Sequence, residues 1–156
     1  MSLFDASQHR WREVTDPEET SYLVHHDYTV LGYDIDAGVF DMIVRWHGDG
    51  GHCHRHRHIA TTSILVLDGE QHLRDLHADG SKGDVHIRRK GDYGLSVGIE
   101  TPHMECGGEN GGVAFFGSHV GSDGVLYELL DVDLNLIAPI TIQMLLEDWQ
   151  QNAQQG

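Results

Sequence analysis

The sequence predicts an all-β fold, a small barrel or sandwich, closed by one short C-terminal helix. Three observations carry that reading. From Tyr28 onward, short apolar runs are broken again and again by Gly, Asp and Asn, the pattern of many short strands joined by turns. Within them, His52, His54, His56 and His58 alternate strictly, which places four imidazoles on one face of a strand, roughly 7 Å apart. After Thr141 the period changes to that of a helix.

Taken in order, residues before about position 28 lack a clear period and read as an N-terminal arm (1–27) with a short strand or two. Residues 28–35 and 39–46 read as strands, the second with Phe40, Met42, Val44 and Trp46 on one face. The histidine run, 50–58, follows. Its other face would carry Cys53, Arg55 and Arg57, the two arginines forming surface or subunit ion pairs. Strands are then expected at 63–67, ending in a turn at Asp68-Gly69, and at 71–76. After a turn at 79–83, more are expected at 85–89, 93–97, 102–106, 112–117 and 125–129. Thr141 caps a helix over 141–150 that carries Met144, Leu145 and Trp149, and the polar end 150–156 is expected to be disordered. No repeat or linker divides the chain, so residues 1–156 are expected to form one domain.

Composition narrows the function classes. Ten Lys and Arg against 25 Asp and Glu give a formal charge of −15, which repels phosphate backbones and anionic lipids. Nucleic acid and membrane partners are therefore not expected. Cys53 and Cys106 are the only cysteines, too few for a disulfide scaffold. No basic-then-apolar leader and no apolar stretch of membrane-spanning length is present, so a cytoplasmic location is expected. Exposed strand edges in a small barrel call for cover, and a homodimer or homotetramer is expected.

Histidines on a single strand cannot surround an ion, so a buried metal site needs a ligand from elsewhere. The segment Thr101-Pro102-His103-Met104 supplies a candidate. His56-Arg57-His58, three residues, Thr62, six residues and Gly69 fit the spacing of the first cupin motif, and Gly91-Asp92-Tyr93 through His103 fits the second with one residue of slippage. On these motifs the chain resembles the cupin superfamily, which implies a jelly-roll β-barrel with a metal in its wider end. A His54-x-His56 register is the rival pair, but its spacing to Gly69 fails.

Where that family usually places a glutamate ligand, this chain has Thr62, whose hydroxyl stays protonated at neutral pH. The implied ligand set is three histidines, His56, His58 and His103, with the remaining positions open. Such a variant is similar to the acetylacetone-cleaving and 2,4'-dihydroxyacetophenone dioxygenases. The resemblance implies an Fe(II) centre that uses O2 to cleave a C–C bond in a small diketone, hydroxyketone or related enolisable compound. Zn(II), Mn(II) or Ni(II) would instead suit a redox-neutral isomerase, lyase or hydrolase, and a non-catalytic metal- or small-molecule-binding cupin is a further alternative. The resemblance also implies Arg74 near the metal, while Glu100 and Glu105 are candidate general bases. Thr62, Ile64, Val97, Met104, Cys106 and Phe115 are the expected pocket lining, although Cys106 and Phe115 also suit plain packing. His25, His26, His77, His86 and His119 receive no role.

Overall fold

Two long bent strands dominate the computed structural model, which describes residues 4–98 and 101–156. They are β5 (Thr61–Leu76) and β8 (His103–His119), and they pair antiparallel along nearly their whole length. The sequence suggests two strands in each case, with a turn at Asp68-Gly69 in the first. Each is instead one continuous strand of 16 or 17 residues. In β5, Gly69 at φ 62° turns no hairpin. It lies between two register shifts, Val66/Asp68 and Gly69/Gln71. A side chain there would run into the carbonyl of Gly111, so the close approach of the two backbones requires glycine.

Those bulges determine which side chains face inward. Before them the buried positions are Thr62, Ile64 and Val66; after them Gln71 is buried, and Leu73 and Asp75 line an interior cavity. The inward parity has switched from even to odd, because an unpaired residue flips every later side chain to the other face.

The remaining strands wrap around this pair. β1 (Arg10–Thr15) pairs with β2 (His25–Asp34), β2 with β3 (Val39–Trp46), and β3 with the C-terminal half of β8. β4 is only His56–His58, held between the start of β8 and β9 (Val125–Leu130). Residues 50–55 do not continue it as a strand. His52 makes isolated bridges to Val24 and Cys106, and both Cys53 and His54 line one cavity, so the expected four-histidine face does not form. β6 (Lys82–Arg89) and β7 (Tyr93–Val97) pair only with β5, and β10 (Leu136–Thr141), not anticipated from the sequence, pairs with β9.

The core lies between these strands, around Tyr28, Phe40, Val44, Trp46, Ile64, Ala114 and Phe116. Helix α1 (Ile142–Asn152) covers it. The Thr141 hydroxyl accepts the Met144 N–H as expected of an N-cap, and Ile142 and Leu146, one turn apart, are the buried residues. Met144 is exposed. The polar end is ordered, contrary to expectation: Ala153 is buried, and β11 (Gln154–Gln155) pairs with Arg10 and Trp11. Backbone hydrogen bonds replace the missing apolar anchor. Arg55 and Arg57 form the expected ion pairs, with Glu19 at 2.9 Å and Glu128 at 2.6 Å. Among the described residues no helix is long and apolar enough to cross a membrane.

Candidate metal centre

Alternation on β4 sends His56 and His58 inward and Arg57 outward. The register sets His56 opposite His103, and Glu105, two residues beyond His103, shares its face. The structure thus brings together the three expected histidines and adds a carboxylate. The Nε2 atoms of His103, His56 and His58 lie 2.8, 3.0 and 3.3 Å from one oxygen, Glu105 Oε1. All four residues are buried.

The protons of this cluster can be placed from its partners. His56 Nδ1 donates to the carbonyl of His54 at 2.7 Å, and His103 Nδ1 donates to that of Thr101 at 3.1 Å. In the neutral tautomer so fixed, the Nε2 lone pairs of both rings face the lone pairs of Glu105. That contact is repulsive unless a cation lies between them, and a divalent ion fits the four donors. A proton on a facing ring relieves the contact as well: burial pushes the Glu105 carboxyl up, but hydrogen bonds from His103, His56 and His58 outweigh it and hold the group well below the usual carboxylate range. His56 is lowered by burial and by neighbouring His103, against the pull of Glu105.

The structure adds Glu105 to the expected three histidines, so that a candidate set of three imidazoles and one carboxylate faces one point. Thr62 is not at the centre; its hydroxyl donates to the carbonyl of Ala60 and contacts Ser118 Oγ at 3.1 Å. Gln71 is 1 % exposed, and its amide donates to the other oxygen, Glu105 Oε2, at 3.1 Å.

The group forms a wall shared by two cavities. One, of about 290 Å³, is mostly apolar. His26, Tyr28, Met42, Phe116, Tyr127 and Ile140 line it, with His56, His58 and Glu105 at the wall. The other, of about 510 Å³, is polar, and Ile64, Gln71, Leu73, Asp75, His86 and Arg88 line it against His58, His103 and Glu105.

Of the expected pocket residues, Ile64 reaches the polar cavity; the others do not line either one. Met104 and Cys106 pair with Arg74 and His72 on the opposite face of their strand from His103 and Glu105. Val97 is 79 % exposed on β7. Phe115 points away from the core that Phe116 enters. Arg74, expected near the metal, is exposed on the outer face because the β5 bulges reverse the parity assumed for it. Glu100 lies outside the described residues.

Sequence reasoning passed over His26, Gln71, Arg88 and Tyr127. His26 Nδ1 is buried without a hydrogen-bond partner, and burial lowers its pKa to about 4, so the ring is neutral. A second cluster, His25, Asp27 and His47, lies outside these cavities. There Asp27 is already paired with Arg45 at 2.6 Å and His47 at 2.7 Å, and the group reads as a charge network.

Comparison with solved structures agrees with this architecture. An acetylacetone dioxygenase from Acinetobacter johnsonii matches with TM-score 0.66 at 15% identity, over 90% of this chain and 87% of that one. The fold is that of the cupins. An RmlC-like cupin protein from Ralstonia eutropha matches with TM-score 0.63 at 13% identity, over 90% of this chain and 80% of that one. A chain from crystal structures of DMSP lyases matches with TM-score 0.57 at 12% identity, over 78% of this cupin-fold chain and 62% of that one. No family model matches the sequence, and no curated protein matches it.

Proposed function

We propose that this protein is a mononuclear non-haem Fe(II) dioxygenase that cleaves a C–C bond in a small enolisable carbonyl compound. The observation that supports it is the convergence of three imidazole nitrogens on buried Glu105 at the junction of an apolar and a polar cavity. The similarity of fold to an acetylacetone dioxygenase is consistent with it.

When bound by His56, His58, His103 and Glu105, iron would supply Lewis acidity toward a chelating enolate and redox chemistry with O2. The chain's own residues supply the rest. His58 and Glu105 line both cavities, so a substrate seated against them would direct its apolar end toward Met42, Phe116 and Ile140 and its polar end toward Gln71. The lining of the smaller chamber is mostly apolar, and neutral His26 stands on it with a buried ring nitrogen, Nδ1, that has no hydrogen-bond partner.

The test is anaerobic loading with Fe(II), followed by oxygen-electrode traces with β-diketones, aryl hydroxyketones and β-keto acids. Uptake matched to substrate loss, and absent with Zn(II), is the expected result. No uptake with any compound would overturn the assignment.

A redox-neutral lyase or isomerase is the second reading. It is favoured by the carboxylate at the centre and by the unpartnered His26 as a base, and it predicts turnover with Zn(II), Mn(II) or Ni(II) without oxygen.

The homodimer or homotetramer expected from the sequence is proposed on the edge strand β7, where Tyr93, Leu95 and Val97 alternate outward, 61, 53 and 79 % exposed. A light-scattering mass of one chain would remove it.

A further inference from the structure

We propose that the polar cavity holds a carboxylate-binding subsite centred on Arg88, so that the substrate is a keto acid rather than a neutral diketone. The inference rests on the enzyme reading above for the word substrate; the anion site itself rests on the geometry below.

Arg88 pairs across the sheet with Gln71, so its side chain shares the inward face of β5 and β6. Its Nη1 donates to Gln71 Oε1 at 3.1 Å, while Gln71 Nε2 holds Glu105 Oε2. The guanidinium lies against the backbone of Gly94, in space that a side chain would occupy. A Cβ at Gly94 would stand 2.5 Å from Arg88 Cζ. Gly94 is itself buried on the inner face of β7, opposite Ile64. The arginine is therefore aimed into the barrel, toward the metal group.

Among the described residues no carboxylate pairs with Arg88. The next two cations of the chain, Arg89 and Lys90, reach Glu70 at 3.4 Å and Asp68 at 3.5 Å. Arg88 has no carboxylate within 4.0 Å among the described residues, in a chain with 25 acidic side chains. Asp75 lines the same cavity and faces His86 at 3.8 Å, where both side chains are exposed.

Charge also favours an anion at this position. A divalent ion with three neutral imidazoles and Glu105 carries one net positive charge, Arg88 adds a second, and Asp75 on the same lining offsets at most one of them, so an anionic ligand balances the remainder. The planar guanidinium, with one N–H committed to Gln71, keeps further donors for a carboxylate.

The experiment is calorimetric titration of the Zn(II)-loaded protein with 2,4-dioxopentanoate and with acetylacetone, which differs chiefly in lacking the carboxylate. The wild type is expected to bind the acid at least about tenfold more tightly. Arg88→Met should erase that preference, a loss of about 10- to 100-fold for the acid, and change acetylacetone binding by no more than about threefold.

Gly94→Ala is the second variant. It keeps the charge but displaces the guanidinium, and it should reduce the same preference. Metal content measured alongside shows whether the ion is retained; if Arg88→Met loses it, Gly94→Ala carries the test. Equal affinity of the wild type for the two compounds, or an equal loss for both in the variants, would overturn the subsite. Oxygen uptake separates the two claims: acid binding that depends on Arg88, with no uptake by the iron form, removes the dioxygenase reading and keeps the subsite.

Discussion

Gln71 donates its side-chain amide to Glu105 Oε2, so the carboxylate meets the three imidazoles through Oε1 alone. Residues in this position orient a ligand without touching the ion, and their loss typically weakens binding 10- to 100-fold. Gln71→Met keeps the volume and removes the donor. Its affinity for Zn(II), measured by competition with a chromogenic chelator, should fall by about that factor. An unchanged affinity would show that Glu105 needs no such support.

Metal removal has its own signature. In the apo protein the Glu105 carboxylate faces nitrogen lone pairs inside the barrel, an arrangement a divalent ion relieves. Metal-loaded protein should unfold at a higher temperature than chelator-treated protein, by a margin that grows with free metal concentration. Glu105→Gln should shrink that margin. Equal melting temperatures with and without metal would contradict the placement.

His25 gives a pH dependence that is independent of the metal centre. It contacts Asp49 at 2.5 Å and Glu13 at 3.0 Å and stacks on His47, with Asp27 and Arg45 behind. The hydrogen bond to Asp49 raises its pKa despite partial burial. A histidine raised on folding contributes stability that is complete below its unfolded value, about 6.5, and is lost as pH rises through the folded value. His25→Asn should flatten the stability profile on that alkaline side. A variant that loses stability equally at pH 6 and pH 9 would mean that packing, not charge, sets its contribution.

The helix cap is a local test of the fold. Thr141→Ala should cost about 1 kcal/mol in urea unfolding, and Thr141→Asp, which can accept the same N–H, should recover most of it. No loss in the alanine variant would mean that α1 is held by Ile142 and Leu146 alone.

Much of this arrangement is legible in the sequence where strict alternation applies. His56 and His58 share a face because they are two apart on a strand, and Thr141 announces a helix by its type and position. The same rule, applied from His103, places Glu105 on the ligand face. The cupin motif instead directs attention to position 62. The misplacements have one physical source. Bulges beside Gly69 reverse the parity of β5, so Gln71 replaces His72 and Arg74 on the inner face. A bulge costs one residue and leaves no periodic trace in the chain. Gln71, Arg88 and Glu105 are also far apart in sequence and meet only through strand register, which sequence alone does not show.

One buried ion per chain is the central expectation for this barrel. Protein stripped with chelator, incubated anaerobically with Fe(II) and passed through a desalting column should retain one equivalent by elemental analysis, and His58→Ala should retain almost none. A wild type that emerges without metal, or a His58→Ala variant that keeps a full equivalent, would contradict it.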